Sequence, residues 1–170
     1  GMGGVGVAYL GDSAVPGTRC GMSRRGNTVA GSELSDLRLV RCTHVMGAFD
    51  LSKLAVPHMR TRPRGDIVTI SSLATSLLQA GSSAYNMAKA AQEALAFTLA
   101  KEEAPNGIRV NVIASGLFDT EMGRRMVKFT SGVDAIHQLE AVFPFGRVCS
   151  RPANGAAVVP VPPISLPSAW

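Results

Sequence analysis

The chain has 170 residues, of which 46% are hydrophobic, and its formal net charge at neutral pH is +5. This length favours a single domain, and the hydrophobic fraction is sufficient for a buried core. No apolar run is long enough to span a membrane, and three cysteines without metal-type spacing or a signal peptide predict a cytoplasmic protein with no metal site.

Positive charge is concentrated in the first 64 residues of the chain. The arginines there are Arg19, Arg24, Arg25, Arg38, Arg41, Arg60, Arg62 and Arg64. Such charge attracts phosphorylated ligands. A nucleic acid is the competing ligand, but the region has no interleaved aromatic residues and no recognised nucleic-acid motif. We therefore predict no nucleic-acid partner and interpret the region as solvated.

The chain opens with a Gly-rich stretch, followed by a segment rich in Gly, Ser and Arg that has no hydrophobic periodicity. A nucleotide-binding half needs a hydrophobic strand and then a Gly-rich turn into a helix. We find neither the strand that should precede the turn nor a second or third strand before Arg41. Residues 1–40 are therefore predicted to be a degenerate N-terminal segment, with a flexible terminus as the alternative interpretation.

Two buried strands are predicted on either side of a long helix. The first is the β-branched run 67–70, which leads to Ser72, and the second is the run 108–114. The Ala-rich run between them favours a helix, which residues 105–107 (Pro-Asn-Gly) should end. Strand, helix and strand in this order imply a parallel crossover, and ligands of such sheets bind at the carboxyl ends of the strands.

Tyr85 and Lys89 stand four residues apart in this helix, so they share one face. A phenol has a pKa of about 10 in water and is a poor proton shuttle at neutral pH. A nearby ammonium group favours the phenolate and lowers that pKa. The pair is therefore typical of a tuned acid–base group, although an isolated Tyr-x-x-x-Lys is more often a surface pair.

Several motifs in register decide between these interpretations. They are Gly47-Ala48-Phe49 on a helix ending in Val56-Pro57-His58-Met59, Asp66 to Ser72, Ser72 thirteen positions before Tyr85, Lys89, Gly107-Ile108-Arg109-Val110-Asn111, and Gly116 with Thr120-Glu121-Met122. With these motifs, residues 41–148 resemble the short-chain dehydrogenase/reductase family, in particular its 3-oxoacyl-acyl-carrier-protein reductase-like members.

The resemblance implies an α/β fold with a Rossmann-like, doubly wound parallel sheet, here incomplete because the N-terminal nucleotide-binding strands are largely missing. It implies hydride transfer between NAD or NADP and a ketone or alcohol, with the choice of cofactor not readable. Tyr85 would be the catalytic acid or base and would also belong to the cofactor-binding residues. Lys89 would tune Tyr85 and bond the nicotinamide ribose, and Ser72 would polarise the carbonyl. The segment that contacts the carboxamide end of the cofactor corresponds to Gly116, Phe118 and Thr120.

The chain departs from the family pattern at several positions. His44 stands where the family usually has an Asn that holds a relay water; an imidazole could bond water too, but we favour a space-filling role. Ser115 replaces a frequent Pro, which should loosen that turn. The stretch 4–8 resembles only the last part of the family's Gly-rich turn. Residues 149–170 are predicted to form a Pro-rich, irregular tail.

These departures leave a second function open, namely a truncated or non-catalytic family member that acts as a binding or interaction protein. A homo-oligomer through the Tyr85/Lys89 helix is also predicted, because the helix carries a stripe of small and apolar residues. The stripe consists of Ala84, Ala88, Ala91, Leu95 and Leu99. Its alternative role is to pack against the chain's own sheet.

Overall fold

The computed structural model of the chain describes residues 7–10, 26–119, 123–124 and 127–128. Within these ranges the elements are β1 (Val7–Leu10), α1 (Leu34–Arg41), α2 (Gly47–Met59), β2 (Gly65–Ser72), α3 (Ala74–Leu77), α4 (Ser83–Glu103) and β3 (Ile108–Ser115). The predicted tail 149–170 and much of the segment 1–40 lie outside the described residues.

The strands β2 and β3 pair in parallel, as the sequence predicted. Their register runs from Gly65 opposite Ile108 to Ser72 opposite Ser115. Both strands are rich in β-branched residues, which suit a pleated and buried surface. The helix α4 connects them, so both carboxyl ends come to the same edge of the sheet.

The strand β1 pairs with the other side of β2 and runs antiparallel to it, with Val7 opposite Thr69 and Leu10 opposite Asp66. The described sheet is therefore mixed rather than wholly parallel. β1 supplies hydrogen-bonding backbone to an edge of β2 that would otherwise be open. The stretch 4–8, which resembles the end of a Gly-rich turn, therefore has its last two residues, Val7 and Ala8, in a strand. Residues 4–6 lie outside the described ranges.

One continuous helix precedes β2 and changes its winding in the middle. α1 is followed directly by a π-helical turn, Cys42–Met46, which leads directly into α2. Such π-helical turns are rare and often occur at functional sites. The turn contains His44, whose side chain is buried. α2 continues through Pro57 to Met59, which agrees with the predicted helix end.

The core lies where α2 and α4 cover the parallel strands. Its buried members are Ala48, Val56, Ile67, Leu99 and Ile108, with Leu51, Ala55, Met59, Leu95 and Val110 packed around them. Ile67 and Ile108 are each 1% exposed. Full burial of an isoleucine side chain stabilises a fold by about 1.5–3 kcal/mol, so this pair anchors both strands to the helices.

The carboxyl end of α4 is fixed by a turn and an ion pair. After Glu103 the chain makes a short 3₁₀ turn, and Gly107 then adopts a φ of +70° before β3 begins. This confirms the predicted stop at residues 105–107. Arg60, which follows α2, bonds both carboxylate oxygens of Glu103 at 2.8 and 2.6 Å and so ties the ends of the two helices together.

Candidate active site

The carboxyl ends of β2 and β3 form the edge at which the candidate site lies. Ser72 and Ser115 are register partners there. The Ser115 hydroxyl donates to the Ser71 carbonyl at 2.9 Å, and the Leu73 N–H donates to the Ser115 carbonyl at 3.0 Å. Ser115 therefore links the two strand ends, a role that the proline frequent in the family could not fill with a side-chain hydroxyl.

Ser72 is half-buried as the last residue of β2. Its Oγ accepts a hydrogen bond from the Ala74 N–H at 3.2 Å, which is the strand-end capping role expected of a serine at this position. A hydroxyl that accepts one bond still has its own proton to donate. Capping and polarisation of a substrate carbonyl are thus compatible.

Tyr85 and Lys89 lie on one buried face of α4, as their spacing predicted. Tyr85 is 5% exposed and Lys89 is fully buried. The Lys89 Nζ lies 6.0 Å from the centroid of the Tyr85 ring. The amine is therefore close enough to influence the electrostatics of the phenol.

The Lys89 amine is held by two acceptors. Nζ donates to the Ile70 carbonyl of β2 at 2.8 Å and to the Gln92 Oε1 at 2.9 Å. Burial lowers the pKa of Lys89 from 10.5 to about 7, because the charged form loses its hydration, and the Glu93 carboxylate partly opposes this fall. At neutral pH the lysine is therefore poised between its ammonium and amine forms.

Glu93 is held beside this lysine by hydroxyl groups. The Ser71 hydroxyl donates to Glu93 Oε1, and the Thr75 hydroxyl donates to the same oxygen at 3.1 Å. Neither Gln92 nor Glu93 was predicted from the sequence as a site residue. Their positions three and four residues after Lys89 are the signal that would have found them, because residues at these spacings are neighbours on a helix.

His44 packs directly on Tyr85. The two ring centroids lie 5.6 Å apart with an angle of 86° between the ring planes, which is an edge-to-face contact. His44 is 2% exposed. This packing agrees with the space-filling role that the sequence favoured, and the place it fills is beside the candidate acid. The predicted alternative, a water-holding role, stays a prediction.

The predicted cofactor segment follows β3. Gly116 is exposed and Phe118 is half-buried, whereas Thr120 lies outside the described residues. A Cβ built on Gly116 would lie 3.4 Å from Leu73 Cδ1, so the backbone of this segment runs close to the chain that follows Ser72. The structure thus brings residues 72 and 116 to one edge.

Two negative findings apply to the described part of the chain. No helix there is both long and apolar enough to cross a membrane. No group of His, Cys, Asp or Glu side chains in those ranges is arranged to hold a metal ion.

Comparison with known proteins links the chain to a family of reductases. A family model described as Enoyl-(Acyl carrier protein) reductase matches residues 17–160. The L-fucose dehydrogenase of Rattus norvegicus is 35% identical over 117 residues, which are 68% of this chain and 43% of that protein. The chain thus spans less than half the length of this curated relative.

Solved structures of dehydrogenases share the fold. An NAD⁺-bound xylitol dehydrogenase matches with a TM-score of 0.68 and 27% identity, over 78% of this chain and 55% of that chain. A gluconate 5-dehydrogenase from Burkholderia cenocepacia J2315, in complex with NADP and tartrate, matches with a TM-score of 0.68 and 27% identity, over 77% of this chain and 50% of that chain. The Rossmann-like α/β architecture predicted from the sequence is therefore confirmed.

Proposed function

The chain belongs to the short-chain dehydrogenase/reductase family, and we propose that it is an oxidoreductase that transfers hydride between NAD or NADP and a ketone or alcohol substrate. The observation that carries the proposal is the buried pair on α4, in which Lys89 is held beside Tyr85 with its pKa lowered to about 7. Perturbed pKa values of this kind cluster at functional sites.

Each side chain of the candidate site has a role in the proposal. Tyr85 donates its phenolic proton to the carbonyl oxygen of the substrate, or takes it back in the reverse direction. Ser72 accepts from the Ala74 N–H and donates its own hydroxyl proton to the same substrate oxygen. A positioned and tuned proton donor contributes about 10²–10⁴-fold to the rate.

Lys89 controls the acidity of the phenol. In its ammonium form it favours the phenolate and lowers the energy needed for proton release from Tyr85. Its two protein acceptors, the Ile70 carbonyl and Gln92 Oε1, use two N–H groups. An ammonium has three donors, so one N–H remains for a ribose hydroxyl of the cofactor.

The residues at this edge fit a nicotinamide cofactor, which when bound supplies or accepts the hydride. Gly116 exposes backbone beside Leu73 without a side chain, and Phe118 follows it as an apolar neighbour. We propose that this segment, with Thr120, contacts the carboxamide end. The related structures contain NAD⁺ in one case and NADP in the other, so both cofactors are candidates.

A fluorescence titration with NADPH and NADH tests the proposal. We expect saturable binding of at least one of them to the folded chain, with folding checked by circular dichroism. A folded chain that binds neither would overturn the proposal and favour the alternative role as a binding or interaction protein. The Lys89→Met variant is the matched comparison, since it removes the proposed ribose donor.

We also propose that the chain forms a homo-oligomer through α4. Of the predicted stripe, Ala84, Ala88 and Leu99 are buried within the chain itself and Leu95 packs on the core, whereas Ala91 is exposed. The outward face instead exposes Met87 and Phe97 at 52% and 56%. Phe97→Glu should lower the mass measured by light scattering, whereas Val29→Glu, at an apolar position 78% exposed elsewhere, should not.

A further inference from the structure

Gln92 is a buried amide in the middle of α4. It is 3% exposed, and its Oε1 accepts a hydrogen bond from the Lys89 Nζ at 2.9 Å. An amide buried without a hydrogen bond costs stability. The contact with the lysine satisfies this oxygen, and it also fixes where the amine lies.

The number of N–H donors on the Lys89 amine determines which of its protonation states can bind a further ligand. A lysine ammonium has three N–H donors, and a neutral amine has two. The Ile70 carbonyl and Gln92 Oε1 take two of them, at 2.8 and 2.9 Å. With both acceptors in place, only the ammonium form keeps a further N–H for another ligand.

We propose that Gln92 is a positioning residue for Lys89, because its amide oxygen and the Ile70 carbonyl together hold the amine beside Tyr85 and leave it one further N–H only in the protonated form. The catalytic consequence rests on the proposed function. We call the two hydrogen bonds from the Lys89 amine to Gln92 and Ile70 the lysine clamp. The clamp is a property of the folded chain, and it exists with or without turnover.

The electrostatics of the surroundings make the clamp measurable. Burial pulls the pKa of Lys89 down to about 7, and the Glu93 carboxylate acts in the opposite direction. Tyr85 on the same helix is a further titratable side chain near the amine, and His44 packs on Tyr85. β2 offers the amine only a backbone carbonyl. Because a hydrogen bond to the charged form favours that form, a change of the group at position 92 should shift the pKa of Lys89.

Two substitutions of Gln92 should shift the pKa of Lys89 in opposite directions. Gln92→Glu keeps the shape and places a carboxylate against the amine, whereas Gln92→Met keeps an unbranched side chain of similar length and removes the acceptor. Gln79→Glu is the matched control, because it makes the same chemical change at an exposed position. Each protein is labelled with ¹³C-lysine and titrated by NMR.

The lysine spectrum is simple enough to read directly. The lysines of the chain are Lys53, Lys89, Lys101 and Lys128, and Lys89→Met identifies the resonance of interest. We expect Lys89 to titrate near pH 7 in the parent chain, higher by about one pH unit or more in Gln92→Glu, lower in Gln92→Met, and unchanged in Gln79→Glu.

The same variants link the clamp to cofactor binding. NADPH affinity of the parent chain should fall as pH rises through the titration of Lys89, and in Gln92→Glu this fall should move to higher pH by the same amount. Unchanged Lys89 titration in a folded Gln92→Glu protein would overturn the clamp. A chain that binds neither NADPH nor NADH at any pH would overturn the proposed function instead, while the lysine titration still decides whether the clamp exists.

Discussion

The imidazole ring of His44 meets the ring of Tyr85 edge-on, with their centroids 5.6 Å apart. The contact joins the π-helical turn Cys42–Met46 to α4, so a residue more than forty positions upstream fixes the candidate acid. Because both rings are buried, the contact orients the phenol more firmly than an exposed pair would.

Replacement of His44 separates ring packing from other roles of the imidazole. We expect His44→Ala to lower the free energy of unfolding by about 2–3 kcal/mol, since it leaves a cavity in the core beside Tyr85. His44→Phe keeps a ring for the edge contact and should restore most of that loss. Urea unfolding measures both, with Cys42→Ala as the exposed control in the same turn. Equal losses in Ala and Phe variants would assign the stability to the polar imidazole instead.

Tyr85→Phe should remove the proton donor and leave its packing intact. The phenylalanine ring can still receive the edge of His44, so we expect a folded variant with largely intact NADPH affinity. Turnover of a ketone substrate should fall by about 10²–10⁴-fold, the usual contribution of a positioned acid. Steady-state kinetics and cofactor titration on one preparation check this, and a variant with full turnover would refute the role of Tyr85.

Local sequence signals were enough to predict the elements that carry the candidate site. The β-branched run before Ser72 and the Pro-Asn-Gly stop after α4 act through nearest neighbours, and the structure has β2 and α4 as expected. The antiparallel pairing of β1 was not predictable in this way. It depends on which backbone edge is open once the sheet has formed, and four residues carry no signal for that choice.

The polar surroundings of Lys89 could not be predicted from the sequence either. Tyr-x-x-x-Lys spacing shows that two side chains share a helix face, but it does not show that the amine is buried or that the Ile70 carbonyl receives it. Burial depends on the strand that packs on the helix. The lowered pKa of Lys89, and with it the candidate chemistry, arises from that tertiary contact.

Lys89 should make the stability of the chain depend on pH. Burial lowers its pKa from 10.5 to about 7, so between these pH values the unfolded chain binds more protons than the native one. The free energy of unfolding therefore rises with pH above about 7, by up to about 1.4 kcal/mol per pH unit. Below about pH 7 both states are protonated, so the free energy of unfolding no longer depends on pH through Lys89 and is at its lowest.

Unfolding in urea from pH 6.5 to 9.5 tests this slope. Lys89→Met should flatten it, because the methionine does not titrate. Lys101→Met replaces an exposed lysine on the same helix and should leave the slope unchanged. A parent chain whose stability does not rise above pH 7, or a Lys89→Met variant with the parent's slope, would contradict a lowered pKa.

The ion pair between Arg60 and Glu103 should raise the free energy of unfolding at neutral pH, and this stabilisation should be lost in acid. The Arg60 guanidinium, with help from Asn106, holds the pKa of the Glu103 carboxyl below its usual range. Stability from a lowered carboxyl pKa is present above the unfolded value, about 4.3, and is lost as pH falls through the native one. Glu103→Gln should therefore be less stable than the parent at pH 7 and closer to it at pH 3. Glu33→Gln, at an exposed carboxylate before α1, is the control. An equal deficit at both pH values would contradict this account.

Gly107 should resist replacement because of its backbone conformation. Its φ of +70° lies in the left-handed region, and a Cβ there would come within 3.3 Å of the Pro63 carbonyl oxygen. We expect Gly107→Ala to lower the free energy of unfolding by about 1–2 kcal/mol, and Gly107→Asn to cost less, since asparagine tolerates this region better. Gly31→Ala, at an exposed glycine without a positive φ where a Cβ would only touch the Thr28 Oγ1 at 3.4 Å, should change stability by less than about 0.5 kcal/mol. A Gly107→Ala protein as stable as the parent would show that the turn into β3 can form with a negative φ at this position.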